Sequence, residues 1–261
     1  MRFLAAAILP VFAGAICALS GGPFAEGAAA QGAAVRVLAS NGVQGALNEL
    51  IPQCERATGH PLSVEFDTTA SIKPKIEGGA AFDFTVLTAD AVDALVADGK
   101  LAASSRANVA RVGIGVGIRA GAAKPDVSTP EALKKALLNA KSITYAGAGA
   151  SRPAIDKMLG QMGIADALKS KTLLLPGAAE TTSAVADGKA ELLLTLVSEI
   201  VSAKGLALAG PLPAAYQTYI AFAAGASANA KNADAAKAAI QFLTGPKAAA
   251  AYKAKGMEPL R

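Results

Sequence analysis

From Val35 onward, short apolar runs alternate with amphipathic stretches. Val35-Arg-Val-Leu-Ala is largely apolar and stops at Ser40-Asn41-Gly42. Apolar residues then recur at helical spacing (Leu47, Leu50, Ile51, Cys54) as far as Gly59, which predicts strand, turn and a helix over 43–58. Pro52 is expected to kink or break that helix. Leu62-Ser-Val-Glu-Phe66 alternates as a strand does, and Asp67-Thr-Thr-Ala-Ser71 opens a short helix with Ser71 as its N-cap. Further strands are predicted over 82–87, 109–118, 143–145, 173–175, 192–196, 205–210 and 216–223. Helices fall between them, and a helical tail runs from Asn232, interrupted at Gly245-Pro246. Strands alternating with helices predict an α/β fold of mostly parallel sheets covered on both faces. The elements form two similar groups, 31–115 rejoined by 218–261, and 116–217.

Composition narrows the function. The net charge is +5, but there is no dense Lys/Arg run, only 5% of residues are aromatic and Trp is absent. No base-stacking platform or basic run results, so no nucleic-acid partner is expected. Met1-Arg2 is a basic start, Phe3 to Leu19 is apolar, and small residues lead to Ala28-Ala-Ala30-Gln31. This pattern predicts a secretory signal peptide over residues 1–30 with an Ala-x-Ala cleavage site, and a periplasmic mature chain. The apolar segment is too short and too broken by Gly and Pro to span a bilayer, so no membrane insertion is expected. Cys17 lies in the leader after Ile16, a poor fit to a lipid-attachment site. That leaves Cys54 without a disulfide partner, on the apolar helix face, as a buried thiol.

Catalytic motifs are sparse. The single His, His60, sits in a turn, and no Gly-x-Ser-x-Gly elbow precedes a helix. One His and one mature Cys do not make a zinc site. Gly113-Ile-Gly-Val-Gly117 lies within a strand, outside the strand–turn–helix setting of a dinucleotide site. The chain is therefore expected to bind without catalysing, with no metal or cofactor.

Three strand-to-helix junctions carry the binding chemistry. The first is Ser40 and Asn41; the second Thr68, Thr69 and Ser71; the third Gly149, Ser151 and Arg152. Helix starts offer unpaired N–H groups and a partial positive charge, so hydroxyls and small residues gathered there suit a small anion. Arg152, a cation where the dipole disfavours one, is a candidate grip for a carboxylate or phosphate.

The order of motifs resembles the periplasmic molybdate-binding protein family. It runs through Val35-x-Val-x-Ala-Ser40, Ala57-Thr-Gly59-x-x-Leu62, Phe66-x-Thr-Thr-x-Ser71-Ile-x-x-x-Ile76 and Ala81-Phe-Asp83-Phe. It ends on Phe242-Leu-Thr-Gly-Pro246-x-Ala-x-x-x-Tyr252-x-x-x-Gly256-Met. The resemblance implies two lobes, a hinge of two strand crossings, a ligand in the cleft between them, and a membrane ABC permease as partner; the chain is expected to be a monomer. The family's first-strand serine matches Ser40 and the second of its paired hydroxyls matches Thr69. Its second-lobe loop matches 148–153, and a later backbone contact falls at Ala178 or Ala179. Where the family's molybdate site has a tyrosine, this chain has Leu196. A lost hydroxyl and a gained Arg leave molybdate-like oxyanions and organic carboxylates both open as ligands. A periplasmic enzyme acting on a small organic acid, and a ligand sensor, are the alternative functions.

Overall fold

Residues 34–260 are described by a computed structural model; the expected signal peptide and Cys17 lie outside the described residues. The first half alternates strictly: β1 (Val35–Ser40), α1 (Asn41–Thr58), β2 (Leu62–Asp67), α2 (Thr69–Glu77), β3 (Phe84–Thr88), α3 (Ala89–Ala97) and the long β4 (Ala107–Arg119). Then come α4 (Pro130–Asn139), β5 (Ile143–Ala146), α5 (Arg152–Gln161), α6 (Ala165–Lys169), β6 (Thr172–Leu175), α7 (Ala178–Ala186), β7 (Leu192–Leu196) and α8 (Val197–Ser202). The chain closes with β8 (Leu206–Pro211), β9 (Tyr219–Ala226), α9 (Ala233–Thr244), α10 (Ala249–Ala254) and β10 (Met257–Pro259).

The fold is α/β, with a mixed sheet flanked by helices. Strand order is β2-β1-β3-β9-β4-β7-β5-β6, with β8 and β10 also on β4. Pairing is parallel where helices cross over, in β2-β1-β3 and β7-β5-β6. It is antiparallel around β4 and β9. The thirteen residues of β4 serve two sets of neighbours: Ala107–Gly113 pair with β9, while Ile114–Ile118 pair with β7 and Gly115–Arg119 with β8. The alternating glycines of β4 let its neighbours approach. A Cβ on Gly115 would lie 2.9 Å from Leu208, and one on Gly117 3.2 Å from Ile200 of α8.

Several local expectations are corrected. α1 runs unbroken through Pro52. Asn48 and Pro52 both lie on its exposed face, where water can satisfy the carbonyl that Pro leaves unpaired. Thr68, not Ser71, caps α2: its Oγ1 accepts the Ser71 N–H. The predicted helical tail ends in β10, whose Met257 is buried by pairing with Val112 of β4, a contact local periodicity does not encode. Cys54 is fully buried, as its place on the apolar face of α1 predicts, and desolvation pushes its thiol up to about 11.

Candidate functional site

The C-terminal ends of β1, β2, β5 and β7 all point to one region, and each hands the chain to a helix. Ligands of open α/β sheets sit outside such strand ends. The segments that meet there are Ser40-Asn41 at the start of α1, Thr68-Thr69 at α2, and Ala146 with Gly149–Ser151 before α5. Ala178 opens α7, and Leu196 with Glu199 belongs to the start of α8. They enclose a small, nearly closed cavity of about 10 Å³. α1 and α5 have no acidic residue in their first turns, so their positive ends are not neutralised by their own helices, whereas at α2 the Asp67 carboxylate stands just before the cap.

The hydroxyls on the wall are arranged as donors. Ser40 is 3% exposed; its Oγ accepts the Gly42 N–H at a long 3.4 Å. Thr69 Oγ1 accepts the Thr88 N–H at 3.4 Å. Neither donates its proton to a protein atom among the described residues. Ser151, also buried, caps α5 without a side-chain bond to the helix. Thr68 is the most committed: its Oγ1 accepts the Ser71 N–H at 3.1 Å and lies 2.8 Å from Ser71 Oγ. Its backbone N–H is taken by Asp67 Oδ1 at 2.7 Å.

The walls are fixed by contacts between distant segments. Ser198 Oγ donates to the Gly42 carbonyl at 2.7 Å, tying the start of α8 to the start of α1. Gly42 has no room for a side chain: a Cβ there would sit 2.4 Å from Phe222 Cζ and 2.8 Å from Leu196 Cδ1. Leu196 thus fills space against α1 while its other side lines the cavity. Next to the cavity, and sharing Asn41, Ala178 and Glu199 with it, a wide groove runs between α1, α7 and α8.

Eight of the sequence-predicted residues meet here: Ser40, Asn41, Thr68, Thr69, Gly149, Ser151, Ala178 and Leu196. Three do not reach the cavity wall. Ser71 lies in the first turn of α2, bonded to Thr68. Ala179 faces the groove. Arg152 is held outside by its own helix: Nε bonds Asp156 one turn on, and the guanidinium lies 5.3 Å from the Tyr145 ring centre. The Asp at i+4 was a visible signal for that pairing.

Glu199 was missed. It stands three residues past the Leu196 cap of α8, where an acidic residue reads as an ordinary helix-start complement. The Thr195 hydroxyl donates to its Oε2, and the Leu196 N–H also bonds the carboxyl. Glu199 is only half-buried, but desolvation by the groups packed around its carboxyl outweighs these bonds and pushes the pKa up to about 7. Among the described residues it is the one titratable side chain on the cavity wall. Asp83 shows the opposite balance. Burial would raise its carboxyl, but hydrogen bonds from Arg36, Asn232 and Lys231 hold it below the usual carboxylate range. It braces β1 and the loop before α9 and does not line the cavity.

The profile of the bacterial extracellular solute-binding proteins matches residues 35–258. The chain belongs to that family. Within it, the chain is similar to the molybdate-binding protein ModA of Azotobacter vinelandii, 29% identical over 235 residues that cover 87% of this chain and 91% of that one. It is similar to the aconitate isomerase of a Pseudomonas species, 28% identical over 229 residues, 86% of this chain and 87% of the other. Among solved structures, the periplasmic molybdate-binding protein of A. vinelandii superposes with a TM-score of 0.75 at 21% identity, covering 87% of this chain and all of that one. The sulfate-binding protein SubI of Mycobacterium tuberculosis H37Rv gives 0.69 at 15% identity, covering 87% of each. No helix among the described residues is long and apolar enough to cross a membrane.

Proposed function

We propose that this is a periplasmic solute-binding protein that captures a small anion in the cavity and delivers it to a membrane ABC importer. One observation carries the reading: helix starts and neutral hydroxyl donors from both halves of the chain converge on a single small cavity. Such a site strips an anion of water and replaces the lost hydration with N–H and O–H groups, without a covalent step. Residues 31–115 with 218–261 form one lobe and 116–217 the other. They close by bending where the chain crosses twice, in β4 and ahead of β9. Gln217 bridges these crossings through the Ile114 backbone, accepting its N–H at 2.8 Å and donating to its carbonyl at 3.0 Å.

Two ligand classes are supported by different observations. Neutral donors around a small cavity, and the similarity to molybdate- and sulfate-binding proteins, favour a tetrahedral oxyanion. Leu196, the adjoining groove with room for a carbon skeleton, and the similarity to aconitate isomerase favour an organic carboxylate. Thermal unfolding of the mature protein against molybdate, tungstate, sulfate, phosphate and a series of mono-, di- and tricarboxylates decides between them. A ligand at a hundred times its Kd adds about 2.7 kcal/mol, roughly 5–10 °C in Tm. Stabilisation by one class assigns the ligand. No stabilisation across the whole series overturns the reading of the cavity as an anion site.

A further inference from the structure

A binding site for an anion has no evident use for a second negative charge, yet a carboxyl stands on the cavity wall. Glu199 lines both the cavity and the groove, at their junction. Its Oε2 accepts from Thr195, and the Leu196 N–H holds the carboxyl in place. Four lone-pair sites on a carboxylate are more than these two donors fill. Around it are the hydroxyls of Ser40 and Thr69, neither of which spends its proton on the protein among the described residues. A proton acceptor thus shares a small cavity with neutral groups able to stabilise negative charge, the pairing that proton abstraction next to a carboxylate requires.

We propose that Glu199 is a catalytic acid–base group, and that the cavity moves a proton between carbon atoms of a bound unsaturated carboxylate. This rests on the reading of the cavity as an anion site, and goes beyond capture. In the step, the Glu199 carboxylate takes the proton from the carbon conjugated through the double bond to the substrate carboxylate. The C–H electron pair passes into the π system and onto that carboxylate, giving a dienolate held by the Ser40 and Thr69 hydroxyls and the helix starts. Glu199, now a carboxylic acid, returns a proton to the same carbon, which exchanges it, or to the far carbon, which shifts the double bond. No electrons leave the substrate, and Glu199 ends as it began.

Charged groups on the elements around Glu199 are largely compensated. α1 brings Glu49, paired with Lys255. Asp187, just past α7, is paired with Lys189. Arg119 at the end of β4 lies against Gly188, and Lys204 follows α8. β7 and β8 carry no titratable side chain. A carboxyl titrating at about 7 in that setting is poised to give and take protons near neutral pH.

The test uses the mature chain in D2O with cis-aconitate, trans-aconitate and glutaconate as probes, each followed by proton NMR, with tricarballylate as the saturated control. Thermal stabilisation is measured on the same samples. The expected result is loss of the allylic proton signal, or appearance of the shifted isomer, with at least one unsaturated probe and none with tricarballylate. Glu199→Gln should lower that rate at least a hundredfold and Glu199→Asp should keep part of it, with unchanged circular dichroism showing that both variants fold. The wild-type kcat/KM should climb with pH through an inflection near 7. Stabilisation by these probes without exchange overturns the proposal and leaves the binding function standing. So does exchange that survives in Glu199→Gln. No stabilisation and no exchange by any probe overturns it as well, and stabilisation by oxyanions alone then assigns the cavity to them.

Discussion

Replacing Glu199 by Gln should change how stability depends on pH. Gln keeps the size of the side chain and its amide oxygen can still accept from Thr195, so the fold is preserved while the titration is removed. Burial holds the folded-state carboxyl at about 7 against 4.5 for an ordinary glutamate. Below about pH 4.5 it is protonated in both folded and unfolded chains and has no effect. Between 4.5 and 7 the unfolded chain gives up the proton while the folded one keeps it, so stability falls as pH rises. Above 7 the full penalty applies. At about 1.36 kcal/mol per pH unit, the difference amounts to about 3 kcal/mol. For a chain of this size that corresponds to roughly 6–12 °C in Tm. Urea or thermal unfolding of both forms at pH 4.5, 6 and 8 measures it, with other carboxylates contributing equally to each curve. The wild type should lose about 3 kcal/mol relative to Glu199→Gln between the extremes. Parallel curves would show that the carboxyl is solvated, and the account of its burial would fall.

Three further outcomes follow from contacts at the site and in the core. Ser40→Ala and Thr69→Ala should each weaken anion binding by about 1.5–3 kcal/mol, roughly ten- to a hundredfold in Kd by calorimetry, because each removes a donor to a buried charge; unchanged affinity would place the ligand elsewhere. Gly42→Ala drives a methyl to within 2.4 Å of Phe222 and 2.8 Å of Leu196, and should lower the urea midpoint by an amount equivalent to about 1–3 kcal/mol. The Cys54 thiol, buried and raised to about 11, should resist a disulfide reagent at pH 8 until the chain is unfolded; prompt labelling of the native protein would refute that burial.

Much of the cavity was legible because its chemistry sits at strand-to-helix junctions, and junctions are local. An apolar run that stops at Ser40, or at Thr68-Thr69, marks the strand end and the helix start at once, so the hydroxyl falls where the sheet delivers it. The Gly149–Ser151 loop was legible for the same reason. Arg152 misled because a cation at a helix start looked reserved for a ligand, whereas Asp156 at i+4 takes its Nε within the same helix. Thr68 displaced Ser71 as cap because the chain leaves β2 in extended conformation at 68 and is already helical at 69.

The sequence by itself determined the alternation of strands and helices, the three hydroxyl junctions and the burial of Cys54, since periodicity, turn residues and caps act over a few residues. Only the tertiary structure decided that β4 carries two sets of neighbours, that β10 returns to it, and that Gly42 is pressed between Phe222 and Leu196. It also decided the state of Glu199. A glutamate in a first turn is ordinary when water surrounds it. What makes this one unusual is the packing of α1 and α7 around it, and no local pattern records that.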